Sequence, residues 1–306
     1  MTATNTARKT LTIGSRGSHL ALWQAHHTAG LLARWGIATE IKTIKTTGDH
    51  LQTASLVQAG GKGLFTKEIE DALLNGEIDL AVHSLKDLPT EHPPGLVIAA
   101  IPEREDPRDA IAGRALAQLS NGARVGTSSG RRGAQLKLLR PDLSIEPIRG
   151  NVDTRLNKLK AGQYDVIMLA AAGLKRLGLD AEIAQLFTPE EICPAPGQGA
   201  LAIQTRKHDD AFQLCSALDH AETRLAVTCE RAALAALGGG CQLPIGVYAS
   251  LEAGELNVLG VVAAPDGSRS LRAEGQGTAS DPCSLGHSLA EELLRKGAAT
   301  LLTESS

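Results

Sequence analysis

The stretch RVGTSSGRRGAQLKLLRPDLSIEPIRGNVDTRLNKLKAGQYDVIMLA, residues 124–170, decides the fold. Arg124 to Thr127 reads as a strand, Ser129 to Leu139 as a helix and Ser144 to Ile148 as a strand. Val152 to Ala161 then reads as a helix and Asp165 to Ala170 as a strand. Strands alternating with helices build parallel sheets with helices on both faces, an α/β class. The turns that follow the strands, Gly126-Thr127-Ser128-Ser129 and Arg149-Gly150-Asn151, fall where open α/β sheets bind ligands.

The chain before this stretch has the same alternation. Leu11 to Ser15 reads as a strand, and a helix carrying Leu20, Leu22, Trp23, Leu31, Leu32 and Trp35 follows. Glu40 to Thr46 is a second strand. Phe65, Ile69, Ala72 and Leu73 recur at helical spacing, and Asn75-Gly76 makes a stop. Ile78, Leu80 and Val82 alternate in a strand that ends at His83-Ser84, and Leu96 to Ile101 is another. Between them Gly48 to Gly63 breaks the pattern and reads as a loop able to cover a site, with Lys62 in it. Gly60-Gly61-Lys62-Gly63 lacks the spacing of a phosphate loop. Glu103 to Asp109, charged and holding Pro107, reads as a crossing between domains. Around Pro194 to Ile203 the chain turns back toward the first block.

After Asp219 the pattern changes. A helix runs to Leu237, and strands near Val247–Leu251, Leu256–Ala263 and Ser270–Glu274 precede a helix near Ser284–Lys296, a small α+β unit. Between helix and strands lies Gly238-Gly239-Gly240-Cys241-Gln242-Leu243-Pro244. Three glycines strip side chains from the backbone before one thiol, so Cys241 is expected on an uncrowded loop as a point of covalent attachment.

A length of 306 residues suits two or three domains. No apolar run reaches membrane-spanning length, and Met1 to Thr10 lacks the apolar stretch of a secretory signal. The five cysteines show no CxxC spacing, which suggests neither a disulfide framework nor a zinc site, and a reducing cytoplasmic compartment fits. Cys193, Cys215, Cys229 and Cys283 are expected to be buried structural thiols. Seven aromatic residues are too few for base-stacking platforms, so no nucleic-acid partner is expected. From Arg124 to Arg176 there are eleven Lys or Arg against four Asp or Glu; the rest of the chain has 20 basic against 30 acidic. One basic third in a near-neutral chain points to a local anionic ligand.

Four strand-end clusters are candidates for that ligand. Gly126 to Arg132 places hydroxyls and then Arg131 and Arg132 at a helix start, where the helix dipole disfavours cations unless a bound carboxylate or phosphate offsets it. Arg149 to Arg155 repeats the arrangement, and Lys175-Arg176 follows a further strand. Arg16-Gly17-Ser18 stands after the first strand. Several arginines at strand ends suit several carboxylates, which Arg holds bidentately. Lys158 and Lys160 read as a solvated helix face. The stretch His83-Ser84-Leu85-Lys86-Asp87-Leu88-Pro89 reads either as an acid/base set or as a solvated turn closed by Pro89.

Taken together these stretches resemble the porphobilinogen deaminase (hydroxymethylbilane synthase) family. The resemblance rests on Gly14-Ser15-Arg16, Leu20-Ala21-Leu22-Trp23-Gln24, Gly60-Gly61-Lys62-Gly63-Leu64-Phe65 and Ala81-Val82-His83-Ser84-Leu85-Lys86-Asp87. It continues through Val125-Gly126-Thr127-Ser128-Ser129, Arg131-Arg132, Arg149-Gly150-Asn151, Pro196-Gly197-Gln198-Gly199-Ala200 and Gly239-Gly240-Cys241-Gln242. It implies two similar doubly wound domains like the lobes of bilobal periplasmic binding proteins, residues 1–104 with 198–218 and residues 105–197, plus a small α+β domain, residues 219–306. It implies a transferase that condenses four porphobilinogen molecules head-to-tail, losing ammonia each time, on a dipyrromethane cofactor joined to Cys241 by a thioether. Hydroxymethylbilane is then released for tetrapyrrole biosynthesis.

By the same resemblance Asp87 is the catalytic carboxylate that stabilises the cation formed when ammonia leaves. Arg16, Ser18, Ser84, Lys86, Thr127, Ser129, Arg131, Arg132, Arg149, Gly150, Arg155 and Arg176 are implied ligand contacts, Lys62 belongs to the lid, no metal is involved, and the protein is a cytoplasmic monomer. Gly130, Gly133 and Gln204 depart from the family pattern, the glycines by loosening the helix that carries Arg131 and Arg132. Two other readings compete. A non-catalytic bilobal anion-binding protein explains the twin α/β blocks but not Cys241. A cysteine-nucleophile hydrolase needs a histidine beside Cys241.

Overall fold

The computed structural model describes residues 10–47, 66–239 and 243–303. Lys62 and Cys241 lie outside the described residues. In chain order the first elements are β1 (Leu11–Ser15), α1 (His19–Arg34), β2 (Thr39–Thr43), α2 (Lys67–Leu74), β3 (Leu80–Ser84) and β4 (Leu96–Ala100). Next come β5 (Asp109–Ala112), β6 (Arg124–Gly126), α3 (Gly130–Leu139), β7 (Ser144–Glu146), α4 (Val152–Lys160), β8 (Val166–Ala170), α5 (Ala171–Arg176) and β9 (Ile183–Leu186). The chain ends with β10 (Leu201–Arg206), α6 (Asp210–Ser216), α7 (Ala221–Ala236), β11 (Ile245–Glu252), β12 (Glu255–Ala263), β13 (Ser270–Thr278), α8 (Pro282–Arg295) and α9 (Ala298–Thr303).

These elements divide into two compact units. One comprises Met1–His83, Glu91–Pro102 and Leu201–His220; the other comprises Ser84–Thr90, Glu103–Ala200 and Ala221–Ser306. The first unit is built on a sheet of order β2-β1-β3-β10-β4. In it β1 runs parallel to β2 and β3, while β10 runs antiparallel to β4. Leu11, Ile13, Leu32, Leu80 and Ile203 form its core. Fully burying one such side chain contributes roughly 1.5–3 kcal/mol.

The second unit contains two sheets. Its five-stranded sheet has the order β7-β6-β8-β5-β9, with β6 parallel to β7 and β8, and β5 antiparallel to β8 and β9. This is the arrangement of the first sheet again: three parallel strands, an inserted strand, then an edge. The inserted strand is β10 in one sheet and β5 in the other. The α/β expectation holds, and the expectation of purely parallel sheets is corrected by these reversed strands. β5 is buried at all four positions, so it offers no alternation to read. The third sheet, β11-β12-β13, is antiparallel and packs α7 and α8 around Cys229, Val247, Leu256, Val258 and Leu293.

Local chemistry sets the helix starts. Ser129 Oγ accepts from Arg132 N at 3.4 Å and caps α3. Asn151 Oδ1 accepts from Thr154 N at 2.9 Å and caps α4. Such caps are worth about 1 kcal/mol each. Helix α3 forms across Gly130 and Gly133, and a Cβ at Gly133 would come within 3.2 Å of Ile145, so the small residue allows close packing on β7. Cys193, Cys215 and Cys229 are buried free thiols, as their apolar neighbours suggest. Cys283 is exposed on α8, against the expectation of a buried thiol. Lys160 pairs with Glu182 at 2.7 Å, and Lys158 donates to Arg149 O at 3.1 Å. Among the described residues no helix is long and apolar enough to cross a membrane.

Candidate active site

The chain leaves β3 through a 3-10 turn, Leu85–Asp87. Leu85 is fully buried and its N–H donates to Ala200 O at 3.0 Å. Gly197 passes against it with φ 75°, and a Cβ there would approach Leu85 Cγ to 2.9 Å, so glycine is required on both counts. Anchoring Leu85 inward turns its neighbours outward: Lys86 is half-buried and Asp87 exposed. Lys86 Nζ donates to Gln198 Oε1 at 3.3 Å. Burial, with the nearby Arg132 charge, pushes the Lys86 ammonium down to about 8. Asp87 accepts no hydrogen bond from a described residue. On the far side of the turn Arg231 of α7 donates from Nη1 to Leu88 O at 2.9 Å and from Nη2 to Pro89 O at 2.6 Å.

Asp109, at the start of β5, organises the cations behind this turn. Its side chain has no solvent exposure. Arg131 Nη1 donates to Oδ2 at 2.6 Å and to Cys193 O at 2.7 Å. Arg132 brings Nε to Oδ1 at 2.8 Å and Nη2 to the same oxygen at 2.7 Å. Gln198 Nε2 donates to Oδ1 at 3.0 Å and to Pro107 O at 2.7 Å. Its Oε1 accepts from Lys86 and, at 3.4 Å, from Arg132 Nη2, so the amide turns oxygen to the cations and nitrogen to the carboxylate. Burial alone would raise the Asp109 carboxyl; the two guanidiniums outweigh it and hold Asp109 well below the usual carboxylate range.

Arg155 is different. Its Nε donates to Gly150 O at 2.8 Å, and no described carboxylate hydrogen-bonds it. Burial first and Arg132 second push it down to about 10, while Asp87 pulls the other way. A partly buried guanidinium that no described carboxylate hydrogen-bonds is a seat for an anion. Gly150 has φ 110°, and a Cβ would meet Thr154 at 2.6 Å, which fixes glycine beside it. Arg149 lies at the same turn and gives its carbonyl to Lys158. Arg176 is buried, donates from Nη2 to Gly199 O at 2.6 Å, and is pushed down to about 10 by burial. Thr127 is buried, with Oγ1 accepting from Ser129 N at 3.2 Å.

Thus Ser84, Lys86, Asp87, Thr127, Ser129, Arg131, Arg132, Arg149, Gly150, Arg155 and Arg176 all belong to the second unit. Within it Lys86, Arg131 and Arg132 meet around Asp109 and Gln198, and the charges of Asp87, Arg132 and Arg149 reach Arg155. Arg16 and Ser18 belong to the first unit, where Ser18 Oγ caps α1 by accepting from Ala21 N at 3.3 Å. Asp109 and Gln198 were not anticipated from the sequence. Asp109 ends a highly charged segment that reads as solvated, and nothing in its spacing signals burial.

The first unit holds a separate buried chain. Glu70 Oε1 accepts from Gln204 Nε2 at 3.0 Å, and Gln204 Oε1 meets His83 Nε2 at 3.1 Å. The amide orientation makes His83 Nε2 the donor. Burial pushes His83 down to about 4 and raises Glu70. This is the role of Gln204, which departs from the pattern noted above.

Residues 11–214 match the family model "Porphobilinogen deaminase, dipyromethane cofactor binding domain", and residues 224–295 match "Porphobilinogen deaminase, C-terminal domain". The porphobilinogen deaminase of Roseiflexus sp. (strain RS-1) is 50% identical over 301 residues, covering 96% of this chain and 99% of that one. That of Syntrophomonas wolfei is 47% identical over 303 residues, covering 97% and 99%. A more distant likeness is to the methionine binding protein MetQ, with TM-score 0.45 and 12% identity over 68% of this chain and 89% of that one. The chain belongs to the porphobilinogen deaminase family.

Proposed function

We propose that Asp87, set among Lys86, Arg132 and Arg155, carries the family's reaction in this chain. That reaction is the transferase activity of hydroxymethylbilane synthase, in which four porphobilinogen molecules are joined with loss of ammonia on a dipyrromethane cofactor. The observation that carries the assignment to Asp87 is its exposed carboxylate, unbonded by described residues, beside the half-buried Lys86 and Arg155 and the buried Arg132.

The residues present fit the cofactor. A dipyrromethane bears four carboxylates, and Arg155 is a partly buried guanidinium to which no described carboxylate hydrogen-bonds. When bound, the cofactor supplies the pyrrole carbon onto which the first substrate is joined. Arg155, Arg149 and Arg176 neutralise ring carboxylates, with Arg16 and Ser18 as further contacts. Arg131 and Arg132, already satisfied by Asp109, add positive potential and their remaining N–H groups. Thr127 and Ser129 hydroxyls and the Gly150 turn complete that surface, with Ser84 and Lys86 beside Asp87. Asp87 accepts from pyrrole N–H groups and offsets the positive charge that develops as ammonia leaves, the place where a fixed carboxylate lowers a barrier most. We assign attachment to Cys241 by a thioether, which cellular thiols do not exchange, and Lys62 to the covering loop. We also propose the three-domain division given above and a cytoplasmic monomer without a nucleic-acid partner; the four described cysteines are all free thiols.

Asp87→Asn tests the central assignment. Intact-protein mass should retain the attached dipyrrole, and single-turnover condensation should slow by a factor on the order of 100 or more. An unchanged rate removes Asp87 from the mechanism.

A further inference from the structure

Of two consecutive residues of α7, the helix that ends shortly before Cys241, one bonds the loop that receives the turn bearing Asp87 and the other bonds the backbone just after that turn. Glu230 is fully buried. Its Oε2 accepts from Gly197 N at 2.6 Å, and its Oε1 accepts from Ala249 N at 2.9 Å. Arg104 meets both oxygens, Nη1 to Oε1 at 2.7 Å and Nη2 to Oε2 at 3.1 Å, and passes Nε to Gln198 O at 2.8 Å. Glu230 therefore holds the 197–200 loop, whose Ala200 carbonyl receives the Leu85 N–H. That fixes the entry to the turn.

The exit is fixed by Arg231. Its two terminal nitrogens go to the carbonyls of Leu88 and Pro89, the two residues after Asp87, and no described carboxylate hydrogen-bonds this guanidinium. A partly buried arginine that spends its planar fork on two successive backbone oxygens fixes the direction of that backbone. Asp87 lies between the two anchors, and no described residue hydrogen-bonds its carboxylate. We propose that Arg231 is a positioning residue for the reaction: by holding Leu88 and Pro89 it keeps Asp87 in the one place where its carboxylate meets the reacting rings. The inference rests on the reading of Asp87 given above.

The test is a double-mutant cycle on the cofactor-loaded enzyme with Arg231→Met, Arg231→Lys, Asp87→Asn and the pair Asp87→Asn/Arg231→Met. Arg231→Met keeps the apolar stem and loses both donors; Arg231→Lys keeps a cation able to reach one carbonyl. The expected result is an attached dipyrrole by mass in each, and a kcat for Arg231→Met reduced on the order of 10- to 100-fold with KM for porphobilinogen changed less than about threefold. Arg231→Lys should recover part of the loss. The pair should be no slower than Asp87→Asn alone, because a group acting through Asp87 has nothing left to position. If Arg231→Met keeps full kcat, or if its loss multiplies undiminished onto that of Asp87→Asn, Arg231 does not act through Asp87. If Arg231→Met does not fold, a full kcat in Arg231→Lys overturns the proposal, and a partial loss that vanishes on the Asp87→Asn background supports it. A normal rate in Asp87→Asn alone would instead overturn the reading of Asp87.

Discussion

Arg132 brings two nitrogens to one oxygen of Asp109, Nε at 2.8 Å and Nη2 at 2.7 Å. A carboxylate with no solvent exposure thus claims the guanidinium edge that would otherwise grip a ligand. With Arg131 on its other oxygen, Asp109 sorts the basic third of the chain into cations already paired and cations that still seek an anion. Arg155 is of the second kind, and the sorting predicts different outcomes for arginines that look alike in sequence.

Arg155→Met should therefore cost binding and not stability. Loss of its bond to the Gly150 carbonyl is offset by removing a partly buried charge that no described carboxylate hydrogen-bonds. The urea midpoint should move by less than about 1 kcal/mol equivalent, while KM for porphobilinogen rises or elongation stalls with partly extended chains visible by mass. A large loss of stability with normal kinetics would move Arg155 into the scaffold.

Asp109→Asn should show the reverse order of effects. Removing one charge from a buried cluster leaves Arg131 and Arg132 with no carboxylate, a loss of about 3–5 kcal/mol. Denaturant unfolding at an unchanged m-value checks this. A loss below about 1 kcal/mol would mean that water screens the cluster.

Lys86 gives a pH signature. Its proton leaves near pH 8, so the positive charge beside Asp87 is present below that pH and absent above it. Activity limited by carboxylate binding should fall as pH rises through about 8, and Lys86→Met should remove that limb. Stability should move the opposite way. An unfolded lysine keeps its proton to about 10.4, so between those values the unfolded chain binds more protons and stability rises with pH. A limb that persists in Lys86→Met would assign it to another group.

His83 sets an acid limit. Its folded pKa of about 4 lies below the ordinary 6.5, so between these values the unfolded chain again binds more protons. The unaltered chain should lose up to roughly 3 kcal/mol as pH falls across that window. His83→Gln should flatten this dependence. An equally steep fall in that variant would place the acid sensitivity elsewhere.

Much of the frame was legible because turn chemistry announces itself. Ser129 and Asn151 each cap a helix directly after a strand, and Gly150 sits where only glycine fits. β5 and β9 were not legible: both have four residues, and the first is buried throughout, so neither has a period to detect. Asp109, Gln198 and Glu230 escaped for a related reason. Their charge or polarity reads as solvated until the fold brings a partner from far along the chain, 126 positions in the case of Arg104 and Glu230. Arg231 escaped because its partners are backbone oxygens, which no residue type advertises.

The most direct measurement is the intact mass of the active enzyme beside that of Cys241→Ser. The account predicts the polypeptide plus one dipyrromethane for the first, and the bare polypeptide, folded but without turnover, for the second. An active enzyme at bare polypeptide mass, or full turnover in Cys241→Ser, would contradict it.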